Sequence, residues 1–325
     1  MKIFSLLLLC SGILTASIDY SRYPPAKAFV EKMHRAYHFD RAYLYRLLKK
    51  AKHQQETLDR YRGRYKVGTT DFSWYRYKSK ILIPESIALG KRFMRQNRKW
   101  LKKAQRRYGI DPSIITAFIR VESKFGMYGS EYSVWDNLVT LAFHRNRKQH
   151  FFRGELEKVL ILARREHLDP LKLRGSFAGA MGCVQQVPSM YLRHGVDLDG
   201  DGRRNPNAMA DCIGSIASFL HQQRWNNRLP VVVRASYPGK RFHGLRTGYR
   251  SRYPLSQITT LGVTPRKPFP YQYAYLIKVR NDHYDELYLG TQNYRIITRY
   301  NASVRYAVTI ALYAEMLKYG QRKIR

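Results

Sequence analysis

The chain has 325 residues, of which 44% are hydrophobic and 14% aromatic, so it can bury a sizeable core and is not a disordered chain. Lys and Arg number 59 against 23 Asp and Glu, a formal net charge of +36. This charge is spread along the chain and indicates either solvated basic faces or an anionic partner such as nucleic acid, a membrane surface or an acidic cell-envelope polymer, but no nucleic-acid-binding motif accompanies it.

The first 17 residues predict a secretory signal peptide. Lys2 precedes an apolar run from Ile3 to Leu14 that is too short to span a bilayer comfortably, and small residues follow it. Cys10 raises the alternative of an outer-membrane lipoprotein, but Leu9 stands where such sites require a small residue. We therefore expect a periplasmic protein that has no nucleic-acid partner and no membrane attachment unless Cys10 is lipidated.

Helical patterns dominate the next hundred residues. Residues 27–52 predict two helices that are broken at His38 and Phe39, with Asp40 capping the second. Residues 53–83 are polar and contain an aromatic cluster at 72–77. Pro84 is predicted to open one long amphipathic helix that ends at Gly109.

The following helix carries a carboxylate on its apolar face. Asp111 is its predicted N-cap, Ile115, Phe118 and Ile119 recur at helical spacing, and Glu122 continues their stripe. Desolvation and the negative end of the helix dipole both raise the pKa of such a carboxyl group. Glu122 is therefore a candidate general acid near neutral pH, and the alternative is a buried ion-pair partner of an arginine.

The rest of the chain changes character. Residues 154–167 predict another helix, short β-type runs lie at 231–233, 274–279 and 286–289, and a last helix covers roughly 303–319. The predicted fold is mainly α (α+β), with a small antiparallel β insert. The expected divisions are a signal peptide 1–17, an N-terminal helical region 18–110, a core 111–228, a β domain 229–295, and a C-terminal segment 296–325 whose helix packs back on the helical region.

A run of small residues from Ser176 to Gly182 lets the backbone approach a ligand closely, as a groove for an extended sugar chain requires. Contacts between helices also use small residues, so the run by itself is weak evidence for a groove. Gln185 and Ser189 add polar groups just behind it.

Acidic residues in the segment 197–203 match the opening of an EF-hand calcium loop, with acids at positions 1, 3 and 5 and Gly202 at position 6. Ala208 at position 12 cannot bind a metal, so Asp211 would have to close a lengthened loop. The alternative is an acidic turn that binds nothing. A calcium ion here would be structural. The predicted ligand residues are Asp197, Asp199, Asp201, Arg203 and Asp211.

Removal of the signal peptide leaves Cys183 and Cys212. Export permits a disulfide between them, but one pair in a large domain proves nothing, and buried free thiols are an equally good expectation.

Taken in chain order, five segments resemble the lytic murein transglycosylase B family, over about Phe29 to Tyr319. They are Val121–Gly126, Gly154–Leu156, Gly175–Gly182, the calcium loop and Ile297–Asn301. The resemblance implies a lysozyme-like fold with an EF-hand-like calcium loop. It also implies cleavage of the MurNAc-β-1,4-GlcNAc bond of peptidoglycan without water, which leaves 1,6-anhydro-MurNAc ends, and it implies no organic cofactor.

The same resemblance assigns site residues. Glu122 matches the catalytic position, Ser176 and Gln185 match polar groove residues, and Tyr300 and Asn301 match residues near the carboxylate. Ser176 and Tyr300 would hold the substrate N-acetyl group. Arg147 and Lys148 match a basic pair that either meets acidic stem peptides or is solvated. The family pattern of aromatic residues, Gly and Met around the groove Gln is replaced by Cys183, Val184, Gln186 and Val187, so sugar stacking is expected to differ.

Ordinary glycosidases need two carboxylates, and no second acid stands in a recognisable motif. Asp136, Glu155 and Glu157 are near in sequence but have the pattern of helix caps or solvated residues. A single Glu can serve if the N-acetyl group of the sugar assists. The alternatives are a hydrolase of the same shape and a non-catalytic wall-binding protein.

Overall fold

The structure is a computed structural model that describes residues 18–63 and 73–320. The predicted signal peptide, including Cys10, lies outside these residues, as does Phe72 of the aromatic cluster. Among the described residues, no helix is both long enough and apolar enough to cross a membrane.

Helices form most of the described chain. In chain order they are α1 (Pro24–Tyr37), α2 (Arg41–Lys49), α3 (Gln55–Arg62), α4 (Trp74–Lys78), α5 (Pro84–Gln96), α6 (Arg98–Tyr108), α7 (Pro112–Ser123), α8 (Val134–Phe143), α9 (Gln149–Arg165), α10 (Pro188–His194), α11 (Met209–Gln222), α12 (Leu255–Thr260), α13 (Gln292–Tyr300) and α14 (Val304–Tyr319).

The strands are short. They are β1 (Tyr132–Ser133), β2 (Arg174–Gly175), β3 (Val232–Ser236), β4 (Arg252–Pro254), β5 (Thr264–Pro265), β6 (Tyr273–Arg280) and β7 (Asp285–Gly290). The first two pair with each other, and the other five form an antiparallel sheet in the order β4-β6-β7-β3-β5. The predicted helix-rich fold with a small antiparallel sheet is thus confirmed.

Local signals explain where several helices begin and end. The Asp40 side chain accepts a hydrogen bond from Tyr43 N at 2.6 Å and caps α2, and Asp111 caps α7 through Ser113 N at 2.9 Å. His38 ends α1 in the left-handed conformation, with φ of 55°. Gly109 ends α6 in the same way.

The prediction of one uninterrupted helix from Pro84 to Gly109 is wrong. Asn97 interrupts it, with φ of −103° and ψ of 20°, so that α5 ends and α6 begins at this residue. Its side-chain amide donates to Phe93 O at 3.1 Å. Asn side chains compete in this way for backbone groups, which explains the break.

The core surrounds α7, which is buried at every residue from Ser113 to Arg120. Helix α14 packs against α7 and α5. The five-stranded sheet has a second, smaller core, in which Val233, Leu276 and Leu289 pack with Phe242 and Ile258. Helix α7 therefore runs through the centre of the protein, and its C-terminal end is enclosed by other elements.

Cys183 and Cys212 are joined in a disulfide, with their Cα atoms 6.1 Å apart. Of the two alternatives that the sequence left open, the structure has the cross-link rather than two free thiols. It ties the segment before α10 to α11.

Candidate active site

Helix α7 ends abruptly beside Glu122. Lys124, Phe125 and Gly126 adopt left-handed conformations in succession, with φ of 48°, 66° and 85°. Ser123 fixes this turn, because its hydroxyl donates to Cys183 O at 2.8 Å and accepts from Gly126 N at 2.9 Å. Non-glycine residues with such dihedral angles are uncommon and cluster at functional sites.

The Glu122 carboxyl group is bound by a tyrosine from the far end of the chain. Tyr306, in the first turn of α14, donates its hydroxyl to Glu122 Oε1. The ring of Tyr300 lies nearly parallel to that of Tyr306, with centroids 6.5 Å apart and an interplanar angle of 11°. Phe118 of α7 meets both rings edge-on. Aromatic side chains thus form a wall on one side of the carboxyl group.

This environment favours the protonated carboxyl group. Burial raises the pKa of Glu122 to about 8, although the hydrogen bond from Tyr306 lowers it in part. No Lys, Arg or His side chain among residues 18–63 and 73–320 forms an ion pair with Glu122. The alternative that Glu122 is a buried ion-pair partner is therefore not supported. A Glu that keeps its proton near neutral pH can act as a general acid.

One further tyrosine, Tyr306, belongs to this site and was missed from the sequence. Burial raises the pKa of Tyr77 of α4, Arg305 and Thr309 lower it in part, and the Glu122 carboxylate adds a smaller rise. The sequence signal for Tyr306 was its place in the first turn of a helix capped by Ser303, just after the motif at 297–301.

The small-residue segment forms a tight turn after β2. Ser176 Oγ accepts hydrogen bonds from Ala180 N at 3.1 Å and Ala178 N at 3.3 Å. A Cβ added to Gly182 would lie 1.8 Å from Pro206 O, so only glycine fits there. The small residues were predicted to let the backbone approach a ligand. At Gly182 the backbone instead approaches the protein's own acidic loop.

Gln185 holds its surroundings together. Its amide nitrogen donates to Gly129 O at 2.7 Å and to Gly182 O at 2.8 Å. The preceding carbonyl, of Val184, accepts the hydroxyl proton of Tyr300. Tyr300 would have to exchange this bond to hold a substrate group. The structure thus brings the segment 183–185 and Tyr300 together around the end of α7.

Other predicted groove residues lie further out. Asn301 is the exposed C-cap of α13, and its side chain makes no hydrogen bond within the described parts of the chain. Arg147 and Lys148 are exposed just before α9. Arg147 Nε donates to Tyr61 O at 3.2 Å. The Tyr61 ring lies 6.2 Å from that of Phe177, which connects the basic pair to the small-residue segment.

The other acids near in sequence already have structural partners. Glu155 caps α10 by accepting hydrogen bonds from Ser189 N at 2.8 Å and Ser189 Oγ at 2.6 Å. Glu157 forms an ion pair with Lys32, and Asp136 accepts from Lys52 N at 3.0 Å. Glu155 and Glu157 are buried rather than solvated, because these partners satisfy their carboxylates.

Three of the predicted calcium ligands converge. Carboxylate oxygens of Asp197, Asp199 and Asp211 lie within 4.8 Å of one another, whereas Asp201 is exposed and outside this group. Asp211 anchors the loop by accepting from Leu198 N and Asn205 N, both at 2.8 Å. Arg203 is exposed, and its backbone N–H donates to Asp201 Oδ1 at 2.8 Å.

Electrostatics also suit a cation at this loop. Burial, together with the carboxylates of Asp199 and Asp197, raises the pKa of Asp211 to about 6, although hydrogen bonds from Leu198 N and Asn205 N lower it in part. A bound cation would relieve this repulsion. An all-oxygen set of carboxylates and carbonyls is the donor chemistry that calcium prefers, so the residues present fit the ion.

Comparison with known proteins matches this arrangement to one family. Residues 22–315 match the family described as Transglycosylase SLT domain. The chain belongs to this family. Its membership confirms the resemblance drawn from the sequence, and the protein is a lytic transglycosylase.

Known members of the SLT family share most of the chain. Membrane-bound lytic murein transglycosylase B of Escherichia coli (strain K12) is 34% identical over 303 residues, which cover 90% of this chain and 82% of that protein. The structure of the Escherichia coli lytic transglycosylase Slt35 in complex with calcium superimposes with a TM-score of 0.84 at 34% identity, covering 92% of this chain and 94% of that one.

A second structure of Slt35, in complex with bulgecin A, gives a TM-score of 0.85 over the same shares of the two chains, also at 34% identity. The lysozyme-like fold expected for this SLT-family protein is therefore confirmed.

Proposed function

We propose that this lytic transglycosylase cleaves the MurNAc-β-1,4-GlcNAc bond of peptidoglycan without water and leaves 1,6-anhydro-MurNAc ends. The observation that carries the proposal is the environment of Glu122, which favours its protonated form. Burial raises its pKa to about 8, it is held by Tyr306, and it has no ion-pair partner in the described chain. This is the protonation state that a general acid needs at neutral pH.

The reaction needs one carboxyl group in two roles. Glu122 gives its proton to the bridging oxygen as the bond from that oxygen to C1 of MurNAc breaks. The carbonyl oxygen of the sugar's own N-acetyl group stabilises the positive charge at C1. The Glu122 carboxylate then takes the proton of the C6 hydroxyl, O6 bonds to C1, and the enzyme returns to its starting state. General acid–base catalysis of this kind contributes roughly 10²–10⁴-fold.

The structural partners of Asp136, Glu155 and Glu157 support a mechanism with one carboxylate. Each of these acids is engaged by a backbone N–H, a hydroxyl or an ammonium group of the protein. A glycosidase that works with two carboxylates needs its second one free to act on C1 or on a water molecule.

Substrate contacts are proposed for the polar residues beside the carboxyl group. Ser176 keeps a hydroxyl proton to donate to the N-acetyl group, since its oxygen is the acceptor in both of its backbone contacts. Gln185 keeps its amide oxygen, and Tyr300 and Asn301 border the same end of α13. Arg147 and Lys148 would meet the carboxylates of stem peptides, because both are exposed cations.

A calcium ion is proposed to have a structural role. Asp197, Asp199, Asp201 and Asp211 would hold it together with the carbonyl of Arg203. When bound, the ion would neutralise clustered carboxylates and stiffen the loop. No organic cofactor is needed for the proposed reaction.

The proposed location is the periplasm, reached through the signal peptide at 1–17, with lipidation of Cys10 as the alternative. Glycan strands of peptidoglycan are the proposed partner. The formal charge of +36 also favours contact with anionic envelope polymers.

One assay tests the reaction. Purified protein is incubated with peptidoglycan in water labelled with heavy oxygen, and the fragments are weighed. Products lighter by one water and free of the label are expected. Labelled reducing ends would instead show a hydrolase, and wall binding without fragments would show a binding protein.

The variant Glu122→Gln should bind peptidoglycan but release no fragments. Glu85→Gln removes an exposed acid from the first turn of α5 and is the matched control, with activity like that of the unmodified protein. Cleavage by the Glu122→Gln variant at the normal rate would refute the assignment.

A further inference from the structure

The disulfide lies directly beside the candidate active site. Cys183 follows the small-residue segment, and Cys212 is the fourth residue of α11, next to Asp211 of the acidic loop. Both cysteines are buried, with exposed fractions of 5% and 0%. The bond therefore joins an irregular segment to a helix in the protein interior.

Two successive carbonyls of that irregular segment hold the surroundings of Glu122. Cys183 O accepts the Ser123 hydroxyl at 2.8 Å, and Ser123 is the residue that fixes the left-handed turn after Glu122. Val184 O accepts the Tyr300 hydroxyl. The Tyr300 ring in turn lies against that of Tyr306, which binds the Glu122 carboxyl group.

Most backbone hydrogen bonds of this segment are made within it. The segment between β2 and α10 has no regular strand or helix, and its internal bonds include Met181 N to Gln186 O and Gln185 N to Gly182 O. Two bonds reach other parts of the chain, from Cys183 N to Pro206 O at 3.2 Å and from the Gln185 side chain to Gly129 O at 2.7 Å. The disulfide adds a covalent tie to α11 and so restrains the position of residues 183 and 184.

We propose that the Cys183–Cys212 disulfide is a positioning element for the reaction. It fixes the two carbonyls that hold Ser123 and Tyr300. Through these two residues it keeps the Glu122 carboxyl group oriented toward the substrate and shielded from water. The inference rests on the proposed function of Glu122. It goes further by assigning part of the catalytic geometry to a bond that touches neither substrate nor Glu122.

The test compares three states of the protein: the oxidised form, the same protein folded under reducing conditions so that the bond does not form, and the double variant Cys183→Ala/Cys212→Ala. Breaking the bond should lower kcat roughly 10²-fold, since small displacements of catalytic groups have effects of this size. KM should change little, because the groove residues remain. The high-pH limb of kcat should also move to lower pH, because water reaching Glu122 favours its ionised form.

A purely stabilising cross-link would not move the pH profile, and a matched control separates the two roles. Asn293→Ala removes buried hydrogen bonds to Asn226 O and Leu229 O, at 2.7 and 2.9 Å, at the end of α13 opposite Tyr300. At temperatures well below each melting transition, this variant should have a lower Tm but an unchanged pH profile. If the double variant does not fold, the protein folded with both thiols reduced supplies the measurement.

Two results would overturn the inference: equal kcat and pH profiles with and without the bond, or free thiols at Cys183 and Cys212 in the exported protein by alkylation and mass spectrometry. Neither result contradicts the proposed function if the oxidised protein still releases anhydro products. Failure of the oxidised protein to cleave peptidoglycan would instead remove the proposed function itself.

Discussion

Tyr306 donates its hydroxyl to Glu122 Oε1 although the two residues are 184 positions apart in sequence. The bond joins the last turn of α7 to the first turn of α14, so it forms only when the C-terminal helix packs on the core. It leaves Oε2 as the atom that can carry the acidic proton.

Replacing Tyr306 with Phe should lower kcat by roughly 10-fold and move its high-pH limb upward. The donated hydrogen bond aims the carboxyl group and lowers its pKa, and hydrogen bonds to ionised groups contribute about 1.5–3 kcal/mol. The Phe ring keeps the packing on Tyr300 and Phe118. Tyr313→Phe, on the same helix but bonded to Ser86 O, is the control and should leave the limb in place. A limb that moves to lower pH in Tyr306→Phe would contradict this role.

The pH profile of kcat should have a single ionisation, on the alkaline side and near pH 8. Glu122 must start protonated, and burial raises its pKa to about 8. No second carboxylate has to be ionised in the starting state, so the rate should stay level below this limb until the fold itself loses stability. Initial rates on soluble glycan strands over about pH 4–9 measure it. A bell-shaped profile with an acidic limb near the ordinary pKa of a carboxyl group would indicate a second catalytic acid.

Glu122→Gln should stabilise the protein at high pH while it abolishes cleavage. The folded state raises the pKa of Glu122 from 4.5 to about 8, so the folded protein keeps a proton that the unfolded chain releases. Stability is therefore lost as pH rises from about 4.5 to 8, and Gln has no proton to lose. Each pKa unit of a fully buried group corresponds to ~1.4 kcal/mol of stability. The Glu122 side chain is partly accessible to water, so we expect the gain at pH 8 to be about 2 kcal/mol, which is less than the full rise in pKa would give.

Denaturant unfolding at pH 4 and at pH 8 measures this gain. The two proteins should have equal stability at the lower pH and differ at the higher one. Equal stability at both would mean that Glu122 is ordinarily hydrated in the folded state.

Calcium should raise the melting temperature without changing the products. A ligand at 100 times its Kd stabilises the folded state by about 2.7 kcal/mol. Asp199→Asn should remove this response but leave the metal-free melting temperature nearly unchanged, because the one backbone group that the Asp199 side chain holds is Asp201 N, in a long 3.4 Å contact. Asp211 is unsuitable for this test, since its carboxylate anchors two backbone N–H groups. A calcium response that persists in Asp199→Asn would place the ion elsewhere.

Local chemistry allowed much of the fold to be predicted. Asp40 and Asp111 act as caps within two or three residues of themselves, so their helix starts are visible in the sequence. The runs that became β3 and β6 are rich in β-branched and aromatic residues, and the run that became β7 has the apolar residues Leu287, Tyr288 and Leu289 in succession. Strands β4 and β5 escaped prediction because they have only three and two residues and gain their pairing from neighbours. Asn97 escaped because its competing hydrogen bond is specific to one side chain.

The site was harder, because its decisive contacts are long-range. The apolar stripe on α7 predicted the position of Glu122, but its partner Tyr306 comes from another helix. Spacing in sequence could not decide whether Cys183 and Cys212 pair, since pairing depends on a Cα separation that only the fold sets. The amide nitrogen of Gln185, expected to face a ligand, binds Gly129 O and Gly182 O instead.

The most direct test of the account is a titration of the Glu122 carboxyl group in the folded enzyme. Carbon-13 NMR of protein labelled at glutamate side chains, with Glu122→Gln to assign the signal, gives its midpoint. We predict a midpoint near pH 8, with the group still protonated at pH 7. A midpoint near 4.5, the value of an unperturbed glutamate, would contradict the assignment of Glu122 as the acid that starts the reaction.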